Sequence, residues 1–599
     1  MSDSLADPLR VAVAAAREAG ALIREEFHRP GGPRGQGSHA DIDVIAEGVI
    51  RRILLEAYPD WAYLGEETGP GGPRDAEHRW VVDPNDGTVS FLRRLRGTAV
   101  SIALLRHDDP VLGVVYAPLA PDDRGDLIAW ARGQALTRND RPVDRPALAR
   151  SLGLRETVLV SQEAGRSPAA NAECTAPARF RALPSIAYRL ALVAVGECDA
   201  GVSLHGPRDW DFAAGHALLR AVGGELVDEA GRPIRYRLGH AESGYAIGGA
   251  LDVARELARR PWAAVHYNED PGPLTRSFRS ARPIFRIADA QVLTRAQGAL
   301  LGQLAGDALG GQVEFGSART IRERHPGGLR TLEDGGYWGT IAGQPTDDSE
   351  LALMLARTVV RDGGMTQERV RRSYWGWLES GPFDVGITTE VGLTELPNVE
   401  SQANGALMRV SPLGIFGWRL AAVELARLAR EDADITHPHP VCRDASAAFC
   451  VALAHAIRTG EGAEAAHAAA LAWARGARAD ADVIETLEAA SAPPTDFERQ
   501  SGWVRTALQN AFHRTLRAGS LEQGVVDTVM AGGDTDTNGA IAGALLGAVH
   551  GRAAVPAGWR RAVLTARALP GTPRPRPQCL WPVDCDDLAE RLLGGPDPA

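Results

Sequence analysis

The chain contains no lysine, and all 65 of its basic residues are arginine. That absence rules out a lysine nucleophile or a Schiff base, so any catalysis has to use other groups. Cysteine is scarce. The six present (Cys174, Cys198, Cys442, Cys450, Cys579 and Cys585) include no CxxC pair. Such sparse use argues against a disulfide framework and for reduced thiols in a cytoplasmic protein. No apolar run stands out at membrane length, and Met1 is followed by Ser-Asp-Ser rather than a charged-then-apolar leader. No membrane partner is therefore expected. A basic stripe with interleaved aromatics is also missing, and the net charge of −11 is spread along the chain. Both features argue against a nucleic-acid polymer as the main partner.

At 599 residues the chain exceeds what one hydrophobic core organises, so two or more domains are expected. The first 250 residues alternate between two periods. Residues 11–27 and 45–57 space their apolar positions as helices do, while Trp80-Val-Val-Asp83 and Val111-Leu-Gly-Val-Val-Tyr116 read as buried strands. This is an α/β pattern. Residues 268–283 turn polar and include Pro271, Gly272, Pro273 and Pro283, which suits a linker. Beyond it, residues 296–310, 347–360, 445–458, 463–475 and 527–550 show helical spacing and strand signals are scarce, so an all-α region is expected. The expected organisation is a domain over 1–265, a linker over 266–285 and a second domain over 286–599.

Three acidic motifs lie in the first part: Gly65-Glu66-Glu67, Trp80-Val-Val-Asp83-Pro84-Asn85-Asp86-Gly87-Thr88, and Trp210-Asp211-Phe-Ala-Ala-Gly215. A strand ending in D-P-x-D-G-T places two carboxylates on one turn, and hard cations such as Mg²⁺ take oxygen ligands of that kind. Together with Asp43-Val-Ile-Ala-Glu47 and Phe91, these motifs resemble the inositol monophosphatase family over roughly residues 5 to 260. The resemblance implies an αβαβα layered sandwich that binds two or three Mg²⁺ ions. It assigns Glu66, Asp83, Asp86 and Asp211 as metal-ligating carboxylates and adds the carbonyl of Asn85. Thr88, paired with Asp43, would orient the attacking water. Gly87 and Thr88 would open a helix whose N–H groups hold phosphate, with Ser185 completing the substrate-binding set. The chain departs from the family at Ser90 and Pro184, and neither Ser203 nor Leu204 supplies the acidic residue that grips inositol hydroxyls. The expected substrate is therefore a small-molecule phosphate monoester without an inositol preference.

The second part holds Gly302-Gln-Leu-Ala-Gly306-Asp307-Ala-Leu-Gly310, Val313-Glu314-Phe315, Pro345-Thr346-Asp347-Asp348-Ser349 and Gly532-Gly533-Asp534-Thr535-Asp536-Thr537-Asn538. Two helix N-termini dense in Asp and Thr oxygens can meet in a bundle and enclose hard cations. The glycines and alanines of residues 539–551 would let helix backbones approach closely. The set resembles the ADP-ribosylglycohydrolase family over about residues 290 to 560. The resemblance implies two Mg²⁺ ions on Thr346, Asp347, Asp348, Asp534, Asp536 and Thr537, with Glu314 as the acid/base residue near the anomeric carbon. Asn404-Gly405-Ala-Leu-Met-Arg409, Pro382-Phe-Asp-Val-Gly386 and Ile435-Thr-His437-Pro-His439-Pro are further family-like pieces. Asn404, Gly405 and His437 are assigned to substrate, near the adenosine or diphosphate.

The leading expectation is a bifunctional hydrolase whose partners are a phosphate monoester and ADP-ribose or an ADP-ribosylated protein, with arginine-linked ADP-ribose the acceptor that Val313-Glu314-Phe315 favours. The alternative keeps only the glycohydrolase active and leaves the phosphatase-like domain as a homodimerisation or substrate-recruiting module.

Overall fold

The structure, a computed structural model, describes residues 4–73, 75–144, 146–204, 206–236, 243–265, 270–278 and 287–594. The chain forms two compact units, Met1–Glu269 and Asp270–Ala599. Most of the expected linker, 266–285, lies outside the described residues. Inside that segment Gly272–Ser277 is a short helix, and its Thr275 hydroxyl accepts the Cys579 N–H at 3.0 Å.

The first unit is layered. Its larger sheet runs Arg141–Pro142, Thr137–Arg138, Asp126–Ala131, Asp109–Ala117, Ala99–Arg106, His78–Asp86, Ala62–Gly65, Gly69–Gly71, antiparallel throughout except where Ala62–Gly65 lies parallel to His78–Asp86. Side chains alternate across a strand, and this sheet is covered on both sides. Trp80 and Val82 pack with helices Ala6–Phe27 and Asp41–Ala57, whereas Val81 faces helices Ile186–Ala194 and Asp209–Ala221. The latter two helices also contact a five-stranded sheet ordered Arg179–Leu183, Thr157–Ser161, Ala200–Ser203, Ala246–Gly249, Glu225–Val227. Helices Pro168–Thr175 and Leu251–Ala258 cover its outer face. The order of layers is αβαβα.

Strand His78–Asp86 ends in a bulge between Asp83 and Asp86, after which Gly87 turns the chain at φ 102° into the five-residue helix Thr88–Leu92. An L side chain rarely adopts that φ, and a Cβ there would also press on Thr98 and Pro184 at 3.1 and 3.2 Å.

The second unit has no strand among its described residues. Its centre is the crossing of helices Ala290–Gly310 and Thr535–His550, where backbone meets backbone. A Cβ on Gly302 would lie 2.2 Å from the Gly543 carbonyl oxygen, and one on Gly547 would lie 1.9 Å from that of Gly298. Residues 527–550 do not form one helix as their spacing suggests. Leu521–Val529 ends, Gly532 and Gly533 adopt φ of 81° and 78°, and a new helix starts at Thr535. Left-handed glycines cannot continue an α-helix, and the break is what exposes the Asp534–Thr537 N-terminus. Helix Pro440–Thr459 has the length and apolar composition of a membrane span, which qualifies the reading of the sequence, yet most of it is buried in this unit. All six cysteines are buried, and none is in a disulfide.

Candidate active sites

In the first unit, the ends of separate elements converge. Asp43 lies in the first turn of helix Asp41–Ala57 and is 1% exposed. Its carboxylate accepts the Thr88 hydroxyl at 2.9 Å and the Asn85 side-chain amide at 3.0 Å. Burial pushes it up to about 6. Asp83 accepts the Asn85 N–H at 2.8 Å, and Asp86 accepts the Ser185 hydroxyl at 2.6 Å and the Ala187 N–H at 2.8 Å. Ser185 also caps helix Ile186–Ala194 by accepting the Tyr188 N–H at 2.9 Å, so its hydroxyl acts on Asp86 and the helix. Asp211, in the first turn of helix Asp209–Ala221, accepts the Arg208 N–H at 2.6 Å.

Carboxylate oxygens of Asp83, Asp86 and Asp211 lie within 4.8 Å of one another. Burial, and then the neighbouring acids, hold Asp83 and Asp211 well above the usual carboxylate range. Glu66 joins them. Loss of surrounding water pushes it up to about 7, with Glu67, Asp86 and Asp43 adding. Because Glu66 keeps an exposed surface, screening reduces that effect. Asn85 Oδ1 is buried with no hydrogen-bond partner. An all-oxygen set this crowded fits hard divalent cations, which would relieve the mutual repulsion.

The second unit repeats the principle with different elements. Asp307, near the end of helix Ala290–Gly310, accepts the Thr346 hydroxyl and N–H at 3.0 and 3.1 Å and the Ser349 N–H at 3.1 Å. It thereby ties the glycine crossing to the N-terminus of helix Asp347–Asp362. The Thr346 hydroxyl also lies 2.9 Å from Asp348 Oδ2, so its single proton is shared between the two carboxylates, while Asp348 Oδ1 is buried without a partner. Gly306 to Gly310 are the last turn of their helix, as their spacing predicts. Oxygens of Glu314, Asp384 and Asp536 lie within 4.8 Å of one another, and the Trp338 indole N–H donates to Glu314. Burial, first of all, pushes Glu314 and Asp307 up to about 7 and Asp347 up to about 6. Asp384 rises to about 10 through burial and the charges of Asp347 and Glu314. Asp534 accepts the Asn404 amide at 2.7 Å, and the Thr537 N–H donates to Asp536 at 2.9 Å. This donor set also fits hard cations.

Gly405 and His437 sit together behind Asn404. A Cβ on Gly405 would lie 2.8 Å from the His437 ring, which is 1% exposed. Burial, and then Arg409, drive His437 down to about 3, and its ring pairs with the Thr436 hydroxyl at 2.7 Å.

Several residues outside the sequence-based site sets belong to these centres. Asp384 is signalled only by Pro382-Phe-Asp-Val-Gly386. Asp307 is visible in its glycine-flanked motif but has no signal for its role. Arg189 has none: its buried guanidinium donates to the carbonyls of Ser185 and Val202 and bears electrostatically on Asp86 and Asp211.

The inositol monophosphatase family model matches residues 5–260, and the ADP-ribosylglycohydrolase model matches residues 288–595. The Nus factor SuhB of Escherichia coli (strain K12) is 34% identical over 236 residues, covering 37% of this chain and 85% of the relative. The ADP-ribosyl-(dinitrogen reductase) glycohydrolase of Rhodospirillum rubrum is 31% identical over 280 residues, covering 44% of this chain and 88% of the relative. A solved structure titled ADP-ribosylglycohydrolase-related protein complex has 28% identity and a TM-score of 0.43, covering 51% of this chain and 98% of that one.

Proposed function

Because the chain belongs to the inositol monophosphatase family over residues 5–260 and to the ADP-ribosylglycohydrolase family over residues 288–595, we propose that it is a bifunctional Mg²⁺-dependent hydrolase with one active site in each unit, the two joined within residues 266–285. The observation that carries this reading is that each unit has its own buried carboxylate cluster, Asp83–Asp86–Asp211 in one and Glu314–Asp384–Asp536 in the other.

In the first unit Glu66, Asp83, Asp86, Asp211 and the Asn85 carbonyl would hold the cations. Bound Mg²⁺ supplies an activated water and neutralises the leaving oxyanion. The Thr88 hydroxyl donates to Asp43 and keeps a lone pair for that water's proton. Asp43, pushed up to about 6, accepts a proton passed along Thr88 near neutral pH. The substrate is a small-molecule phosphate monoester.

In the second unit Thr346, Asp347, Asp348, Asp534, Asp536 and Thr537 would hold two cations, which would supply Lewis-acid contacts to the ribose hydroxyls. Glu314, pushed up to about 7, is shared between protonated and ionised forms near neutrality. It orients water or delivers a proton at the anomeric carbon. The bond cleaved joins ADP-ribose to its acceptor, with arginine the acceptor of choice. The relative whose name places it on ADP-ribosylated dinitrogen reductase supports a protein-linked substrate.

The intact chain with Mg²⁺ should release phosphate from at least one of a panel of phosphomonoesters, and ADP-ribose from an ADP-ribosylated protein. Failure on every monoester, with ADP-ribose still released, would reduce the first unit to a recruiting module.

A further inference from the structure

The second unit begins with the short helix Gly272–Ser277, which is fastened to it by the Thr275 hydroxyl at Cys579. Between this helix and the helices Asp347–Asp362 and Gln367–Glu379 lies a cavity of about 420 Å³, lined only by residues of the second unit. That volume is in the range of small-ligand sites. The cavity is remote from the carboxylate cluster. Asp347 opens the helix whose last turn supplies Arg361, and the two ends are about 20 Å apart along the axis.

Leu274 and Phe278 supply an apolar lining, and the Arg361 guanidinium lies over the Phe278 ring, 4.9 Å from its centroid. Much of the remaining lining is charged. Arg361, Arg369 and Arg372 face a single carboxylate, that of Asp362. Asp362 accepts Arg361 Nε at 2.8 Å and Nη2 at 2.9 Å, and it lies 3.2 Å from Arg369 Nη1. Arg372 donates to Glu368 at 2.9 Å, a pair that water screens because the Glu368 side chain is 81% exposed. A guanidinium carries five N–H donors, so Arg369 and Arg372 keep several for a ligand. Gathering like charges around a gap costs energy unless an anion answers them. Residues 279–286, which follow Phe278, add Arg279, Arg282 and Arg286 and no acid, so the chain's own continuation does not neutralise the cluster.

We propose that this cavity is a nucleotide-binding site, separate from both carboxylate centres. The phosphates lie on Arg369 and Arg372, whose planar forks match phosphate oxygens two at a time. The base stacks on the Phe278–Arg361 pair, because aromatic rings and guanidinium planes both accept a base face. Free phosphate would use the arginines alone and an uncharged aromatic the ring alone, whereas a nucleotide uses both parts of the lining. The inference is independent of the two hydrolase readings, since none of the metal-ligating carboxylates lines the cavity.

The test titrates the full chain with ADP by calorimetry in EDTA, so that no cation bridges phosphates to the carboxylate clusters. ADP should bind at about one equivalent with a Kd below about 1 mM. Arg369→Gln combined with Arg372→Gln, at two exposed positions, should weaken binding about tenfold or more. Phe278→Leu keeps an apolar contact without the planar ring and should weaken it about fivefold or more. Pyrophosphate and adenosine should each bind at least about tenfold more weakly than ADP. Asp536→Asn, in the carboxylate cluster, should bind ADP as the unmodified chain does. The proposal is overturned if the unmodified chain does not bind ADP, if the double arginine variant binds it undiminished, or if Asp536→Asn abolishes binding. Pyrophosphate bound as tightly as ADP would overturn the nucleotide assignment and leave an anion site alone.

Discussion

Glu47 is fully buried, yet its carboxylate is well served: it accepts the Glu67 N–H at 2.7 Å, the Thr68 N–H at 2.9 Å and the Thr68 hydroxyl. It lies one turn beyond Asp43 on the same helix. That helix therefore grips both Thr88 and the loop that carries Glu66. The contact also explains Gly65, since a Cβ there would fall 2.0 Å from Glu47 Oε1. Replacing Glu47 by Gln turns an acceptor toward a donor, and the loop carrying Glu66 should loosen. Mg²⁺ affinity of the first unit should fall by roughly 10- to 100-fold, read by calorimetry, while circular dichroism stays unchanged. Undiminished affinity would limit Glu47 to a structural role. Glu314 invites a different outcome, because its role is with the proton and not the ribose. Glu314→Gln should lower turnover by roughly a hundred- to ten-thousandfold while ADP-ribose affinity is kept. Near-normal turnover would move the acid/base role to Asp384 or Asp307.

At the scale of elements, the helix crossing in the second unit is the feature that brings Asp307 to Thr346 and sets it beside the helix that begins at Thr535. Gly302→Ala should force the helices apart at the Gly543 carbonyl, costing about 1–3 kcal/mol of stability and weakening the second site. Gly558→Ala, at an exposed position in the first turn of helix Ala557–Thr565 with nothing near its Cβ, should be neutral or slightly stabilising. Equal melting temperatures for the two variants would contradict the close crossing. A close backbone approach at residues 539–551 was legible in their glycines and alanines, but its partner helix was not, although glycines at four-residue spacing mark both: 298, 302, 306 and 310 on one, 539, 543 and 547 on the other. The α/β character of the first unit was legible from continuous apolar strands alternating with amphipathic helices, while its layered order followed from the family resemblance. The approach of Asp384 was not. It depends on Arg576, buried against Glu350, whose guanidinium donates to the Ser380 carbonyl at 3.1 Å and the Gly381 carbonyl at 3.0 Å. Arg576 stands nearly 200 residues from that loop, and no local pattern in the sequence announces such a clamp. The burial of His437 was not legible either, because a His-Pro-His segment reads as a polar loop in the sequence alone.

For the molecule as a whole, the raised carboxyls link stability to pH and metal. Asp43 and Asp347 rise to about 6, and Asp307 and Glu314 to about 7, above their values in an unfolded chain. The folded state therefore keeps protons that the unfolded chain has lost, and this contribution is full below about pH 4 and disappears as pH rises through 6 to 7. Buried His216 and His437, whose values are lowered, act in the opposite direction and are lost as pH falls. Comparing melting with and without Mg²⁺ at each pH cancels the histidines. The Mg²⁺-induced rise in melting temperature should be larger at pH 8 than at pH 5, and equal rises would contradict carboxylate sites of this kind. The central claim is that two separate centres act in one chain. Its most direct test assays phosphomonoester hydrolysis and ADP-ribose release side by side in Asp86→Asn and Asp536→Asn variants of the full chain. Each substitution should lower its own reaction by roughly a hundredfold or more and leave the other near the unmodified level. Loss of both reactions from either single substitution, with the protein still folded, would contradict two independent active sites.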